Sequence, residues 1–201
     1  MPRCRFGVAD HRLIAPLRVV LSADTDTPVS AFLKLSAGAK QAFLLESVEP
    51  GERVGRFSFI GVNPRRVLRT KVDSTTDPFD LLESYARSTR GVRPEGFPPF
   101  TGGLVGFIGY DAIRRLEPRV ALSKPDELQF PESTFFDVDT VVAFDNVRRE
   151  LHLIAQVRSE DGSAKRAVAH AKARLQELQR RLKQPLSDRL GKHHREPTFE
   201  P

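Results

Sequence analysis

The sequence predicts an α+β domain of antiparallel β-sheets with packed helices. Two apolar runs, 134–145 and 150–157, flank Asp145-Asn146 and predict an antiparallel hairpin. Thr27-Pro28 and Asp77-Pro78 each open a short stretch with helical apolar spacing, the mark of a capped helix start. Antiparallel strands with helices interspersed argue against the doubly wound parallel arrangement.

The elements follow in order. Residues 10–21 alternate enough for a first strand, densest over 15–21. Helix one runs from Pro28, with Val29, Phe32, Leu33 and Leu35 as its apolar face and Gly38 as its stop. Residues 41–48 are a strand by apolar content, and Pro50-Gly51 is a turn. Residues 56–62 alternate, with Phe57, Phe59 and Gly61 on one face and Ser58, Ile60 and Val62 on the other. Residues 66–72 alternate basic and apolar side chains, a strand with one wet face. A second helix starts at Pro78, with Phe79, Leu82 and Tyr85 on its apolar side. Residues 91–99 are loop, 111–117 a helical turn, and 118–132 a polar connection holding three prolines. The clearest helix spans 162–183. Its apolar positions Ala164, Val168, Ala171, Leu175, Leu178 and Leu182 form a narrow heptad-like stripe, which more often packs on its own sheet than on a partner. The expected organisation is an N-terminal arm (1–14), an α+β body (15–160), a helix (161–184) and a flexible tail or linker (185–201).

The 201 residues are 39% hydrophobic, with no apolar run long enough to span a membrane. Cys4 is the single cysteine, so no intrachain disulfide forms, which fits a reducing compartment. With no secretory leader visible, the expected location is cytoplasmic. The net charge of +6 is concentrated: residues 158–201 hold eleven Lys/Arg against six Asp/Glu. No aromatic side chain interleaves those basic residues before Phe199, so a stacking platform for nucleic acid is not supported. A solvated helix face is the simpler reading.

The glycine-rich stretch 102–110 is not a phosphate loop. It has no Gly-Lys-Ser/Thr, and the residues between its glycines are Leu, Val, Phe and Ile, which favour strands. It reads as a strand in which glycine lets another backbone or a ligand come close. The five histidines show no metal-ligand spacing. Ser47 and Ser58 lack a nucleophile context. Neither a catalytic residue nor a metal site is expected. Taken alone, Glu46 and Ser47 are an exposed pair on an edge strand. A continuous strand puts them on opposite faces, so joint contact with one ligand needs a bulge or a strand end.

Phe43-Leu44-Leu45-Glu46-Ser47, followed by Gly51-Glu52-Arg53-Val54-Gly55-Arg56-Phe57-Ser58-Phe59-Ile60-Gly61, resembles the LLES and ERxGRYSFIG signatures of the N-terminal domain of anthranilate synthase component I. Pro98-Pro99-Phe100-Thr101-Gly102-Gly103 through Gly109-Tyr110-Asp111 is similar to the family's PPFxGGxVGYxGYD motif. Asp139-Thr140-Val141-Val142-Ala143-Phe144-Asp145 is similar to a third block. Together the three blocks place the resemblance over roughly residues 28–157. It implies a feedback-regulatory, L-tryptophan-binding segment, with Ser47 as the first ligand-binding residue and Glu46 as the second. It also implies a chorismate-binding catalytic domain elsewhere, in cis or in trans. That domain would hold Mg2+ and take ammonia from a glutamine amidotransferase subunit, in the first committed step of tryptophan biosynthesis. No cofactor is expected in this chain, and alone it is expected to lack the lyase activity. Two other readings stand beside this one. The chain could be the similar N-terminal part of aminodeoxychorismate synthase component I, in folate synthesis. It could also be a basic binding or scaffold protein without a small-molecule site.

Overall fold

The structure, a computed structural model, describes residues 12–46, 55–72, 74–117, 119–120 and 129–186. The described elements are β1 (Arg12–Ser22), α1 (Pro28–Ser36), β2 (Ala42–Leu45), β3 (Phe57–Val62), β4 (Arg66–Thr70), α2 (Pro78–Ser88), β5 (Thr89–Gly91), β6 (Gly103–Ile108), α3 (Ile113–Leu116), β7 (Ser133–Val138), β8 (Thr140–Asp145), β9 (Glu150–Arg158) and α4 (Ala164–Leu182). The expected α+β class is what forms. Six strands make one sheet in the order β2-β3-β8-β9-β1-β5, and three make a second in the order β4-β7-β6. Every pairing is antiparallel except the short β1–β5 pair.

Both proline-led helices start as their sequences require. The Thr27 hydroxyl accepts from the Ser30 N–H at 3.1 Å, and the Ser30 hydroxyl accepts from the Thr27 N–H at 2.9 Å, a reciprocal capping box. The Asp77 carboxylate accepts from the Phe79 N–H at 2.8 Å. Asp145 faces Glu150 across the β8–β9 hairpin, as the sequence predicts.

Several expectations change. The apolar run 134–145 is not one strand. Asp139 divides it, so β7 lies in the small sheet and β8 in the large one. Periodicity within a run cannot show that its two ends pair with different partners. β1 begins at Arg12, because Arg12–Ile14 pair with Thr89–Gly91 and Ile14 also faces Arg158. Residues 89–91, the last of which is expected to open a loop, become strand through that same distant pairing. The tail from residue 187 lies outside the described residues.

The large sheet is covered on both faces. On one, Ile60, Val142, Phe144, Leu151, Leu153 and Ala155 pack with Ala31 and Leu35 of α1 and with Ala171, Leu175, Leu178 and Leu182 of α4. The heptad stripe therefore serves the helix's own sheet, with Ala167 buried and Ala164 exposed. On the other face, Val141 and Ile154 meet Val138, Phe136 and Val105 of the small sheet.

One carboxylate ties the two sheets together. Asp137 of β7 is 0% exposed. It accepts from Arg66 of β4 at 2.8 Å, from Arg158 of β9 at 2.8 Å and from the Tyr85 hydroxyl of α2 at 2.8 Å. Burial by itself would raise the Asp137 pKa. The Arg66 hydrogen bonds, the Arg158 charge and the Tyr85 hydroxyl outweigh it and hold the carboxyl below its ordinary value.

A depressed folded-state pKa stabilises the fold above the unfolded value, and that stability is lost as pH falls through the folded value. Resistance to urea unfolding should therefore fall below about pH 4, the ordinary carboxylate range. Asp137→Asn leaves buried Arg158 with only the more distant Glu160, at 3.8 Å, as counter-charge and should cost about 3–5 kcal/mol at pH 7. It should also flatten the acid limb of the stability profile. A loss under about 1 kcal/mol would remove Asp137 as the joint between the sheets.

Candidate functional site

The three sequence motifs converge in space. Phe43 and Phe59 come from the first, Phe100 and Val105 from the second, and Val141 from the third, and all join one apolar cluster between the sheets. Phe59 meets Phe100 edge-on with ring centroids 5.7 Å apart, and Phe57 stacks on Phe59 at 6.0 Å. Gly61 carries no side chain because a Cβ there would overlap the Phe43 ring. Gly106 sits under the β7 backbone, where a Cβ would overlap the Thr134 carbonyl oxygen. The close approach expected of the glycine-rich strand is thus to a neighbouring backbone.

Glu46 lies one residue past the end of β2 and is exposed, while Ser47 lies outside the described residues. The strand expected over 41–48 stops at Leu45, which pairs with Phe59. Strand alternation therefore does not extend to Glu46.

A cleft of about 600 Å³ opens at this end of the large sheet, beside Arg56, Phe57, Phe97, Arg148 and His152. The Arg56 guanidinium covers the Phe57 ring at 4.9 Å and grips Asp145 through Nε at 3.1 Å and Nη2 at 2.6 Å. Asp145 also accepts the N–H groups of Val147 and Arg148, closing the hairpin turn. Burial opposes ionisation of Asp145, but Arg56 and the Arg148 N–H hold its pKa below the ordinary value. Burial and then the Arg18 charge push the His152 pKa down, against Glu150 and Asp145. Its imidazole is therefore neutral at pH 7.

Asp145, Glu150 and His152 offer ligand atoms within 4.8 Å of one another. Histidine spacing along the chain does not reveal this group. The hairpin register does, since Asp145 faces Glu150 and His152 lies two residues on. Both Asp145 oxygens already accept from Arg56, so a cation there must displace an arginine. Magnesium favours an all-oxygen octahedron, which this set with its imidazole does not supply.

Three of the six Lys and Arg residues of α4, Arg174, Arg180 and Arg181, are engaged within the fold. Arg174 donates to the Gln156 carbonyl at 2.6 Å and Arg181 to the Leu35 carbonyl at 2.5 Å. Arg180 and Arg181 both pair with Glu177. No described helix is long and apolar enough to cross a membrane.

The model of a family described as "chorismate binding enzyme" matches residues 40–200, a span that includes all three motif blocks and α4. Anthranilate synthase component 1 of Pseudomonas aeruginosa is 38% identical over 92% of this chain and 41% of its own length. The protein of the same name from Thermus thermophilus is 40% identical over 86% of this chain and 37% of its own. The chain thus spans about two fifths of the length of these curated relatives. The crystal structure of anthranilate synthase component I from Streptococcus pneumoniae TIGR4 superposes with a TM-score of 0.56. It covers 84% of this chain and 37% of that one at 22% identity, a likeness of fold.

The Gly61–Phe43 contact makes the packing role of the first motif measurable. Gly61→Ala should destabilise the protein by about 1–3 kcal/mol through overpacking. In a Phe43→Leu background the same change should cost less, because the ring it strikes is gone. Equal costs in both backgrounds, by denaturant unfolding, would show that the glycine is kept for another reason.

Proposed function

The chain belongs to the family of chorismate binding enzymes, and on that premise we propose that it is the feedback-regulatory part of an anthranilate synthase component I. In this reading it binds L-tryptophan at the end of β2, with Ser47 as the leading contact and Glu46 as the second. The observation that carries the proposal is the end of β2 at Leu45. Two consecutive residues on a continuous strand face opposite ways, and Glu46 lies past the end of β2, outside that alternation. An amino acid needs acceptors for its ammonium and donors for its carboxylate, and a carboxylate beside a hydroxyl supplies both kinds. The cleft beside Phe57 and Phe97 has room for an indole-sized side chain.

The chemistry then belongs to a chorismate-binding catalytic domain, supplied in cis or in trans. That domain would hold the magnesium and work with a glutamine amidotransferase subunit. An exposed apolar surface supports such a partner. Phe107, Tyr110, Leu116 and Phe130 are 50–91% exposed around the outer end of β6. The Gly109 N–H donates to the Glu132 carbonyl and draws the two segments together there. The names carried by the relatives favour the tryptophan branch over the folate branch.

The test is a chimera in which this chain replaces the matching segment of the Pseudomonas aeruginosa relative. It should make anthranilate from chorismate and ammonia and be inhibited by L-tryptophan. This chain by itself should give no anthranilate fluorescence with chorismate, magnesium and ammonia. Ser47→Ala in the chimera should weaken inhibition about ten- to a hundredfold, one hydrogen bond to a charged ligand, and leave turnover without tryptophan nearly unchanged. This follows if Ser47 favours only the inhibited state. Lost turnover with intact inhibition would overturn the proposal. Since the chain contains no tryptophan, indole fluorescence reports the ligand directly in binding to this chain.

A further inference from the structure

A second cavity, of about 190 Å³, lies away from β2, between β9, β5 and the start of β6. Its lining is polar in a specific way. Arg158 is 0% exposed and spends Nη2 on Asp137, while its Nε and Nη1 have no hydrogen-bond partner. Gln156, 4% exposed, donates from Nε2 to the Thr101 carbonyl. A carbonyl only accepts, so that contact fixes the amide orientation and leaves Gln156 Oε1 unpartnered. The buried Thr89 hydroxyl is unpartnered as well. Each such group costs free energy unless something fills the cavity and bonds to it. Arg158 and Gln156 are two apart on β9, so both fall on one face of the sheet.

The charge around the cavity favours an anion. The ion-pair network through Arg158 holds four arginines, at 12, 65, 66 and 158, against three carboxylates, at 137, 160 and 161. Arg93 adds a further positive charge to the lining. Arg158 stays charged: burial would lower its pKa, but Asp137 and Tyr85 raise it.

We infer that this cavity binds a small carboxylate bearing a hydroxyl or ammonium on the adjacent carbon. The carboxylate takes the Nη1 hydrogens of Arg158, which reach Glu160 only at 3.8 Å. The neighbouring donor of the ligand bonds to Gln156 Oε1, and the Thr89 hydroxyl completes the shell. This site is separate from the end of β2 and does not rest on the tryptophan reading.

The probes are glycolate, glycine and acetate, titrated into the full chain and followed by the backbone amide resonances of Gly91, Gly102 and Gly103. Glycolate or glycine should give saturable shifts, and which of the two binds tighter identifies the donor. Acetate has no donor for Gln156 and should bind about tenfold more weakly. Thr89→Val removes a hydroxyl that has no protein partner, so it should weaken binding about tenfold and leave the unfolding midpoint unchanged. Gly91→Leu points into space with nothing within 4 Å of its Cβ and should abolish binding in a folded protein. No saturable shift with any probe would mean the cavity holds water only. Undiminished binding in both variants would place the anion elsewhere. Either result overturns the inference, as does acetate binding as tightly as the other two.

Discussion

The two sheets meet through a buried charge. Asp137 receives an arginine from its own sheet, an arginine from the other sheet and a tyrosine from α2. An ionised carboxylate away from water is tolerable only when its lone pairs are occupied by cations and donors, and here three different elements supply them. The apolar contacts between the sheets constrain distance but little else, because apolar packing is non-directional. The two Arg66 bonds to Oδ2 and the Arg158 Nη2 bond to Oδ1 are directional and fix how β7 is held against β9. The chain switches sheets two residues later, at Asp139, whose carbonyl accepts from the Gln156 N–H at 2.7 Å.

That joint also explains why polar groups collect on one face of β9. Leu151, Leu153 and Ala155 face the helices and are uniformly apolar. The alternating set, His152, Ile154, Gln156 and Arg158, faces the small sheet and holds a single apolar residue. Where the small sheet covers it, Ile154 packs against Val138 and Val141. Beyond that cover on either side lie the two clefts, one beside His152 and one beside Gln156 and Arg158. The polar residues of this face, His152, Gln156 and Arg158, are all buried and flank the apolar contact at Ile154.

A basic composition here is a consequence of architecture. Arginines at 56, 66, 115 and 158 each pair with a carboxylate at most 2% exposed. Arginine suits this work because its planar fork meets a carboxylate with two parallel hydrogen bonds and stays charged when buried. In α4, Arg174 and Arg181 reach carbonyls of β9 and α1 and fasten the helix over the sheet.

The sequence by itself determined the local elements and their class. Thr27-Pro28 and Asp77-Pro78 dictated two helix starts through side-chain caps, and the Asp145-Asn146 turn dictated the β8–β9 hairpin, because each signal acts within a few residues. The glycines of 102–110 were also legible, as a demand for close approach whose partner was unnamed, whereas the packing role of Gly61 was not legible. Only the tertiary structure decided those partners: the Phe43 ring for Gly61 and the β7 backbone for Gly106. It decided that the run 134–145 divides at Asp139, that β1 reaches back to Arg12, and that Arg158, Gln156 and Thr89 share a cavity. Each of these depends on residues tens of positions apart meeting in space. Pairing across that distance is chosen by the burial of whole faces and the satisfaction of buried charge, which no local window of sequence contains.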